Sequence, residues 1–211
     1  DGNFPTVASP NPEERKTMAM AIERAEREGA DFAMATDPDA DRVGLAIKNN
    51  RGAYQLLNGN QIGSLLTYYV LSSKKDKAEL QPNDYIVKTI VTSNLFSDIA
   101  SSFGVKSYET LTGFKFIGEV MTRLDGKENY LVGGEESYGF LVGDLVRDKD
   151  AVNACAFICE MAAYFKNQGL SLFDVLLSLY TTYGFYQEKL ISLTKKGKAG
   201  ADEIKQMMVD L

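Results

Sequence analysis

Residues 32–47 read FAMATDPDADRVGLAI, an acidic turn between two short apolar runs. Both apolar runs have the length and composition of buried strands. Asp37, Asp39 and Asp41 stand at alternate positions of the turn. Three carboxylates crowded on one turn repel each other, so the pattern favours a hard divalent cation with oxygen ligands among them. Arg42 follows directly, and its guanidinium is suited to bidentate binding of a phosphate.

The turn has three other interpretations. An ordinary strand-to-strand turn is also often rich in Asp. An EF-hand is rejected, because it needs Gly where Arg42 stands and Glu where Lys48 stands, and because its flanks are helices. The turn also resembles the Asp-x-Asp loop of haloacid-dehalogenase-like phosphotransferases. In that alternative Asp37 is the nucleophile, and residues 143–148 resemble the acidic motif that lies later in the sequence of those enzymes.

Composition bounds the class of protein. With 211 residues the chain can hold one large domain or two small ones, and 45% hydrophobic residues is ordinary for a globular protein. A net charge of −6 argues against a nucleic-acid partner. No apolar run approaches the roughly 18 residues of a membrane span. The chain has no histidine, which excludes histidine catalysis and histidine-bound zinc within it.

The two cysteines, Cys155 and Cys159, lie four residues apart on an apolar segment that predicts a helix. We interpret them as two buried thiols in a reducing cytoplasm. The chain begins at Asp1 in what reads as a loop, and we expect a piece of a longer protein.

Strand patterns alternate with helix patterns along the chain, which predicts α/β layers with a mixed or mostly parallel sheet. Asn11 and Pro12 read as the start of the first helix. The main predicted elements are a strand over 85–91, helices over 60–72, 150–167 and 171–183, and an exposed linker over 194–200. Boundaries are placed near residues 50 and 190.

Three further loops carry groups able to bind a ligand. Lys115 opens a helix after a strand, where free backbone N–H groups favour an anion. Glu135 and Ser137 lie in a glycine-rich loop after another strand, and their side chains suit sugar hydroxyls. The charged segment 147–150 precedes a long helix, which Asp150 is placed to cap. Each loop also has a plain interpretation as a solvated surface turn.

Taken together, the four loops resemble those of the α-D-phosphohexomutase superfamily, the phosphoglucomutase/phosphomannomutase enzymes. Residues 37–42 resemble the magnesium loop, with Pro38 where Gly is usual. Residues 134–139 resemble the sugar-recognition loop, and 112–116 and 147–150 resemble loops of the phosphoglucomutase branch. Four such loops in the same order are specific.

The resemblance implies an α/β fold, with a mixed, mostly parallel sheet layered with helices and a partial preceding α/β domain. Residues 1–50 correspond to the end of domain 2 with the metal loop, 51–190 to domain 3, and 191–211 to a linker and the start of domain 4. The family's phosphoserine loop and fourth-domain phosphate loop are not found in this sequence. We therefore expect the chain alone to lack mutase activity and to need domains 1 and 4.

The resemblance also implies a reaction and its groups. Phosphate moves reversibly between C1 and C6 of a hexose phosphate through a phosphoserine and a hexose 1,6-bisphosphate intermediate. Mg²⁺ is the implied cofactor, and the implied residues are Asp37, Asp39 and Asp41 for the metal, Arg42 and Lys115 for catalysis, and Glu135, Ser137, Arg147 and Lys149 for the substrate. A non-catalytic sugar-phosphate-binding module is the remaining alternative.

Overall fold

The computed structural model describes residues 2–188, 193 and 195–210. Its elements in chain order are α1 (Arg15–Glu28), β1 (Phe32–Thr36), β2 (Val43–Lys48), β3 (Tyr54–Leu56), α2 (Gly59–Asp76), β4 (Asp84–Thr89), α3 (Leu95–Ser102), β5 (Lys106–Thr110), α4 (Phe114–Leu124), β6 (Asn129–Gly134), β7 (Phe140–Val142), α5 (Ala151–Asn167), α6 (Leu172–Tyr183) and α7 (Gly197–Asp210). Among the described helices, none is both long and apolar enough to cross a bilayer.

The strands form two sheets. In the first, β1, β2 and β3 are antiparallel neighbours. The second has the order β5-β4-β6-β7, in which β4 pairs in parallel with β5 and β6, and β7 is antiparallel to β6. The prediction of an α/β fold with a mixed, mostly parallel sheet is confirmed by the second sheet, whereas the first sheet is wholly antiparallel.

The first sheet continues past residue 50, because β3 pairs with β2 through Leu56. The second boundary, near residue 190, falls on residues 189–192, which lie outside the described part of the chain. The division into 1–50, 51–190 and 191–211 stays a prediction.

One hydrophobic core joins the two sheets. Val43, Leu45 and Ile47 of β2 are fully or almost fully buried and share one cluster with side chains from α2, α5 and α6. Burying one such aliphatic side chain contributes about 1.5–3 kcal/mol. The loops at the ends of β1 and β6 are therefore fixed to a common support.

The first helix begins later than predicted. Asn11 does not cap it, because its Oδ1 accepts the N–H of Glu13 at 3.0 Å and so closes a local turn. Such side-chain bonds to nearby backbone compete with helix formation. α1 begins instead at Arg15 and ends at Glu28, where Gly29 caps it with a left-handed φ of 68°.

The strand predicted over 85–91 is shorter at its end. β4 stops at Thr89, because the N–H of Thr92 bonds back to the Thr89 carbonyl oxygen at 3.1 Å and turns the chain. Ile90 and Val91 are then more than half exposed. The segment predicted as a linker also differs: α7 already begins at Gly197, and residue 194 lies outside the described residues.

The prediction of two buried thiols is wrong for Cys159, which is exposed, while Cys155 is half-buried. The buried stripe of α5 consists of Ala151, Ala154, Ile158, Met161 and Phe165. Both cysteines lie beside this stripe, so an apolar helix sequence does not by itself bury every position. Burial raises the pKa of the Cys155 thiol, and the nearby Cys159 thiol adds to the rise.

Candidate active site at the edges of two sheets

The acidic turn joins β1 to β2. One carboxylate oxygen from each of Asp37, Asp39 and Asp41 lies within 4.8 Å of the others. Two hydrogen bonds hold the turn locally: Asp37 Oδ1 accepts the N–H groups of Asp41 at 3.1 Å and Arg42 at 3.0 Å. The turn thus presents its carboxylates as a group before any cation arrives.

The backbone of the turn is held in a strained conformation. Ala40 has a φ of 57°, in the left-handed region that side chains rarely adopt. Its carbonyl oxygen accepts the N–H of Ala151 at 3.0 Å, at the beginning of α5. Such strain persists where surrounding contacts determine the backbone, and it is common at functional sites.

The charge of the turn fits a hard divalent cation. Burial raises the pKa of Asp37, and the nearby Asp41 carboxylate also raises it, while the two backbone N–H bonds act in the opposite direction. All three side chains offer oxygen ligands, which Mg²⁺ and Ca²⁺ prefer. A cation among them would offset both the desolvation and the mutual repulsion.

Glu135 directly follows β6 and is buried, with 5% of its surface exposed. Its Oε1 accepts the N–H of Gly113 at 2.9 Å, which ties its loop to the loop that carries Lys115. Burial raises the pKa of Glu135 and the Glu136 carboxylate adds to the rise, whereas the Gly113 N–H, Lys149 and Arg42 lower it.

The raised pKa of Glu135 predicts a gain of stability on removing its charge. A carboxyl with a raised pKa in the folded state loses stability as the pH rises through that pKa. We therefore expect Glu135→Gln to unfold at a higher temperature than wild type at pH 7. The difference should disappear below the ordinary value of 4.5. Thermal unfolding from pH 4 to 8 checks this, with exposed Glu119→Gln as control. A variant that is less stable at pH 7 would contradict it.

Glu136 fixes the position of the same loop, a role that the sequence did not reveal. Its Oε2 accepts the hydroxyls of Thr89 at 3.3 Å and Thr92 at 3.1 Å, and its N–H donates to Thr92 Oγ1 at 3.2 Å. The loop after β6 is therefore bonded to the loop after β4.

The acidic turn and the 135–139 loop contact each other directly. The N–H of Val43 donates to the Tyr138 carbonyl oxygen at 3.1 Å, and Arg42 forms an isolated antiparallel bridge with Gly139. Tyr138 itself has a φ of 70°. Two loops that are almost 100 residues apart in sequence are thus joined through their backbones.

Lys149, in the segment between β7 and α5, also contacts the acidic turn. Its Nζ lies 2.8 Å from Asp41 Oδ2. Burial works against the charged amine, but the Asp41 carboxylate, together with those of Asp148 and Glu135, raises the pKa of Lys149 overall. The predicted substrate ligand therefore contacts a predicted metal ligand.

Arg42 is half-exposed beside the acidic turn. Its guanidinium lies 3.8 Å from Glu13 Oε1 and 3.9 Å from Asp41 Oδ1. Burial raises the pKa of Glu13, and Arg42 opposes that rise. These separations are long for ion pairs, so the guanidinium keeps donors for another acceptor.

The remaining predicted residues are not all brought to the same place. Lys115 is exposed at the beginning of α4, with its Nζ 4.9 Å from the centre of the Phe116 ring. The hydroxyl of Ser137 has no hydrogen-bond partner among the described residues. Arg147 donates to the Asp144 carbonyl oxygen at 2.7 Å and lies 3.5 Å from Asp125, so its charge is already engaged outside the cluster.

Lys88 is a further charged residue that the sequence analysis missed. It is fully buried in β4, and its Nζ lies 2.7 Å from Glu109 Oε1 and 3.2 Å from the Thr92 carbonyl oxygen. The available signal was a lysine within an otherwise apolar strand. Its contacts support the same loop that holds Glu136.

Comparison with known proteins decides the family. The model of phosphoglucomutase/phosphomannomutase alpha/beta/alpha domain III matches residues 58–183, and the model of domain II matches residues 1–52. The chain belongs to the phosphoglucomutase/phosphomannomutase family. The matched spans cover domains II and III, and the acidic turn and the Glu135 loop fall on different matched domains.

Phosphoglucomutase from Staphylococcus aureus (strain N315) is 39% identical to this family member over 208 residues. The match covers 99% of the chain, and the chain spans 37% of that relative's length. Homologous family proteins named phosphoglucomutase are isomerases.

Solved structures of the superfamily share the fold. A phosphoglucomutase/phosphomannomutase family protein from Burkholderia thailandensis has a TM-score of 0.65 and 20% identity, over 85% of this chain and 35% of that one. N-acetylphosphoglucosamine mutase from Aspergillus fumigatus, in complex with GlcNAc-6P and magnesium, has a TM-score of 0.55 and 15% identity, over 75% and 36%.

Proposed function

We propose that this chain is the domain II–III part of a phosphohexomutase that moves phosphate reversibly between C1 and C6 of a hexose phosphate. The observation that carries the proposal is the joining of the acidic turn to the Glu135 loop through Val43, Tyr138, Asp41 and Lys149. A charged cluster for phosphate chemistry and acceptors for sugar hydroxyls then lie side by side. The proposed phosphoserine belongs to another domain of the complete enzyme.

Asp37, Asp39 and Asp41 are the proposed ligands of one Mg²⁺. Their oxygens fit that ion in type and in grouping. When bound, the ion supplies positive charge against the phosphoryl oxygens, which is the main form of assistance that phosphoryl transfer needs. The Aspergillus relative whose structure contains magnesium supports this choice of metal.

Arg42, Lys115 and Lys149 are the proposed phosphate-binding groups. Arg42 keeps free donors next to the acidic turn, and Lys115 lies at the positive end of α4. Arg147 stays a prediction as a substrate ligand, and it would first have to leave Asp125 and the Asp144 carbonyl oxygen.

Glu135 and Ser137 are the proposed sugar-binding groups. The Glu135 carboxylate is buried and has one bond, from Gly113, so acceptor capacity remains for hydroxyls. The Ser137 hydroxyl can act as donor or acceptor. A hexose 1,6-bisphosphate intermediate would present either end of the sugar to the same acceptors. The preferred hexose is left open in this proposal.

Partners and compartment follow from the same proposal. The partners are a hexose phosphate and domains I and IV of the complete enzyme, and the staphylococcal relative, of which this chain spans 37%, supports the second. The proposed compartment is the cytoplasm, supported by Cys155 and Cys159 as free thiols.

The first test concerns the metal. We expect Mg²⁺ to bind weakly, because this ion gives up its water reluctantly. Asp39 is exposed, and Asp39→Asn leaves the bonds of Asp37 to the turn intact. The substitution should weaken Mg²⁺ at least about tenfold, since even residues that only support a ligand have effects of that size. Isothermal titration calorimetry measures this.

Asp144→Asn, which removes one exposed carboxylate from the turn after β7, is the matched control and should leave the isotherm unchanged. Identical isotherms for wild type and Asp39→Asn would refute the metal assignment. Hexose-phosphate turnover by the chain alone that proceeded through a phosphate covalently bound to Asp37 would instead favour Asp37 as a nucleophile, the dehalogenase-like alternative.

A further inference from the structure

The aliphatic part of the Lys149 side chain packs against Gly139 of the 135–139 loop, and its amine extends to the acidic turn. A methyl group placed on Gly139 would lie 2.5 Å from Lys149 Cδ and 3.4 Å from its Cβ. The glycine therefore makes room for the aliphatic part of the lysine. With its stem placed there, the side chain is only 18% exposed and its amine lies at the carboxylates.

The amine of Lys149 is the closest positive charge to the turn among the described residues. It lies 2.8 Å from Asp41 Oδ2, whereas the nearest guanidinium nitrogen of Arg42 is 3.9 Å from Asp41 Oδ1. Its other carboxylate contact, Asp148 Oδ1, is longer at 3.6 Å. The lysine is thus a short-range partner of one proposed metal ligand.

An ammonium and a divalent cation compete for the same carboxylate. Repulsion between two cations a few ångströms apart is strong where water is partly excluded. A lysine ends in a compact charge on a flexible stem, so the amine can move away by bond rotation while the stem stays on Gly139. The backbone N–H groups that hold Asp37 cannot move away in this manner, because they are part of the turn itself.

We propose that Lys149 is an internal counter-cation of the acidic turn, which leaves Asp41 when a divalent cation binds and is then available to the substrate phosphate. The substrate half of this inference rests on the proposed function, whereas the metal half needs only a cation among the three aspartates. By linkage, the coupling is reciprocal: the phosphate that takes up Lys149 strengthens metal binding by the factor with which the metal strengthens phosphate binding.

The main experiment is Mg²⁺ calorimetry on the chain and three variants. Lys149→Gln should bind Mg²⁺ roughly tenfold more tightly than wild type, because a charge-assisted contact of Asp41 no longer has to be broken. Lys149→Arg keeps the positive charge and should not tighten binding. Lys115→Gln removes one lysine charge at α4 and should also leave the affinity unchanged.

The outcomes separate this inference from the proposed function. If Asp39→Asn leaves Mg²⁺ binding unchanged, the metal site itself is wrong. If Asp39→Asn weakens binding but Lys149→Gln does not tighten it, only the counter-cation role is overturned. Equal tightening by Lys149→Gln and Lys115→Gln would also overturn that role, because the effect would then be one of net charge.

A second measurement follows Lys149 directly in the wild-type chain. The lysine Cε–Hε resonances are followed by NMR during the Mg²⁺ titration, and the Lys149 signal is assigned by its loss in Lys149→Arg. We expect it to shift and narrow as the amine is released. A Lys149 signal that does not change at saturating Mg²⁺ would overturn the inference.

The substrate half is tested with glucose 6-phosphate as the probe. Saturating Mg²⁺ should raise its affinity for the wild-type chain, and Lys149→Gln should remove most of that increase. An equal increase in both proteins would show that Lys149 does not carry the coupling.

Discussion

Glu135→Ala is expected to lower kcat/KM for the hexose phosphate about a hundredfold in the complete enzyme. The buried carboxylate already accepts the Gly113 N–H, and we propose that it also accepts two sugar hydroxyls. Each charge-assisted hydrogen bond is worth about 1.5–3 kcal/mol, and about 1.4 kcal/mol corresponds to a tenfold change in rate. An assay coupled to the formation of glucose 6-phosphate measures the loss.

The same variant should keep its Mg²⁺ affinity nearly unchanged, because Glu135 makes no direct contact with Asp37, Asp39 or Asp41 in the described structure. Glu119→Ala, which removes an exposed glutamate from α4, is the matched control and should retain full activity. If Glu135→Ala left sugar turnover unchanged but abolished Mg²⁺ binding, the roles proposed for the acidic turn and the 135–139 loop would have to be exchanged.

Gly59→Ala is expected to lower the free energy of unfolding by about 1–3 kcal/mol, the usual range for overpacking. The sign is notable, because Gly→Ala in a helix normally adds about 0.5–1 kcal/mol of stability. Gly59 is the first residue of α2, and a methyl there would overlap the Glu136 carbonyl oxygen and lie 2.6 Å from its carbon. The neighbour is backbone, so it can yield only if the loop moves.

That loop resists movement because Glu136 is bonded to Thr92 and Tyr138 to Val43. Urea unfolding followed by circular dichroism measures the change, with Gly2→Ala as control, since a methyl on Gly2 meets nothing within 4 Å. In the complete enzyme that we propose, the KM for hexose phosphate should rise with the same substitution, because the displaced loop carries Glu135. A Gly59→Ala chain more stable than wild type would show that the loop yields freely.

Local sequence patterns were enough to predict much of the fold and the position of the loops along the chain. The acidic turn, for example, has local hydrogen bonds between residues at most five apart, such as Asp37 with Arg42, which its own sequence supplies. Its bond from the distant Ala151 to Ala40 was not predictable in this way. The order of strands and helices follows in the same way from periodicity, apart from the three-residue strand β7.

Contacts between distant parts of the chain were not predictable. Lys149 and Asp41 are more than 100 residues apart, and no periodicity brings an amine to a particular carboxylate. Arg147 and Lys149 were likewise both predicted as substrate ligands. In the structure Arg147 contacts Asp125, whereas Lys149 contacts the acidic turn. The direction of a side chain at the end of a loop depends on packing, as the contact of the Lys149 stem with Gly139 shows.

The shared core of the two sheets restricts motion between the two matched domains. Side chains of β2 are interleaved with those of α2, α5 and α6 in one cluster, so a hinge between the two matched domains would have to break close-packed apolar contacts. Packed interiors of this kind deform little. In the complete enzyme that we propose, domains II and III should therefore move as one rigid block, and we expect the space in which a bisphosphate turns over to come from rotation of its other domains.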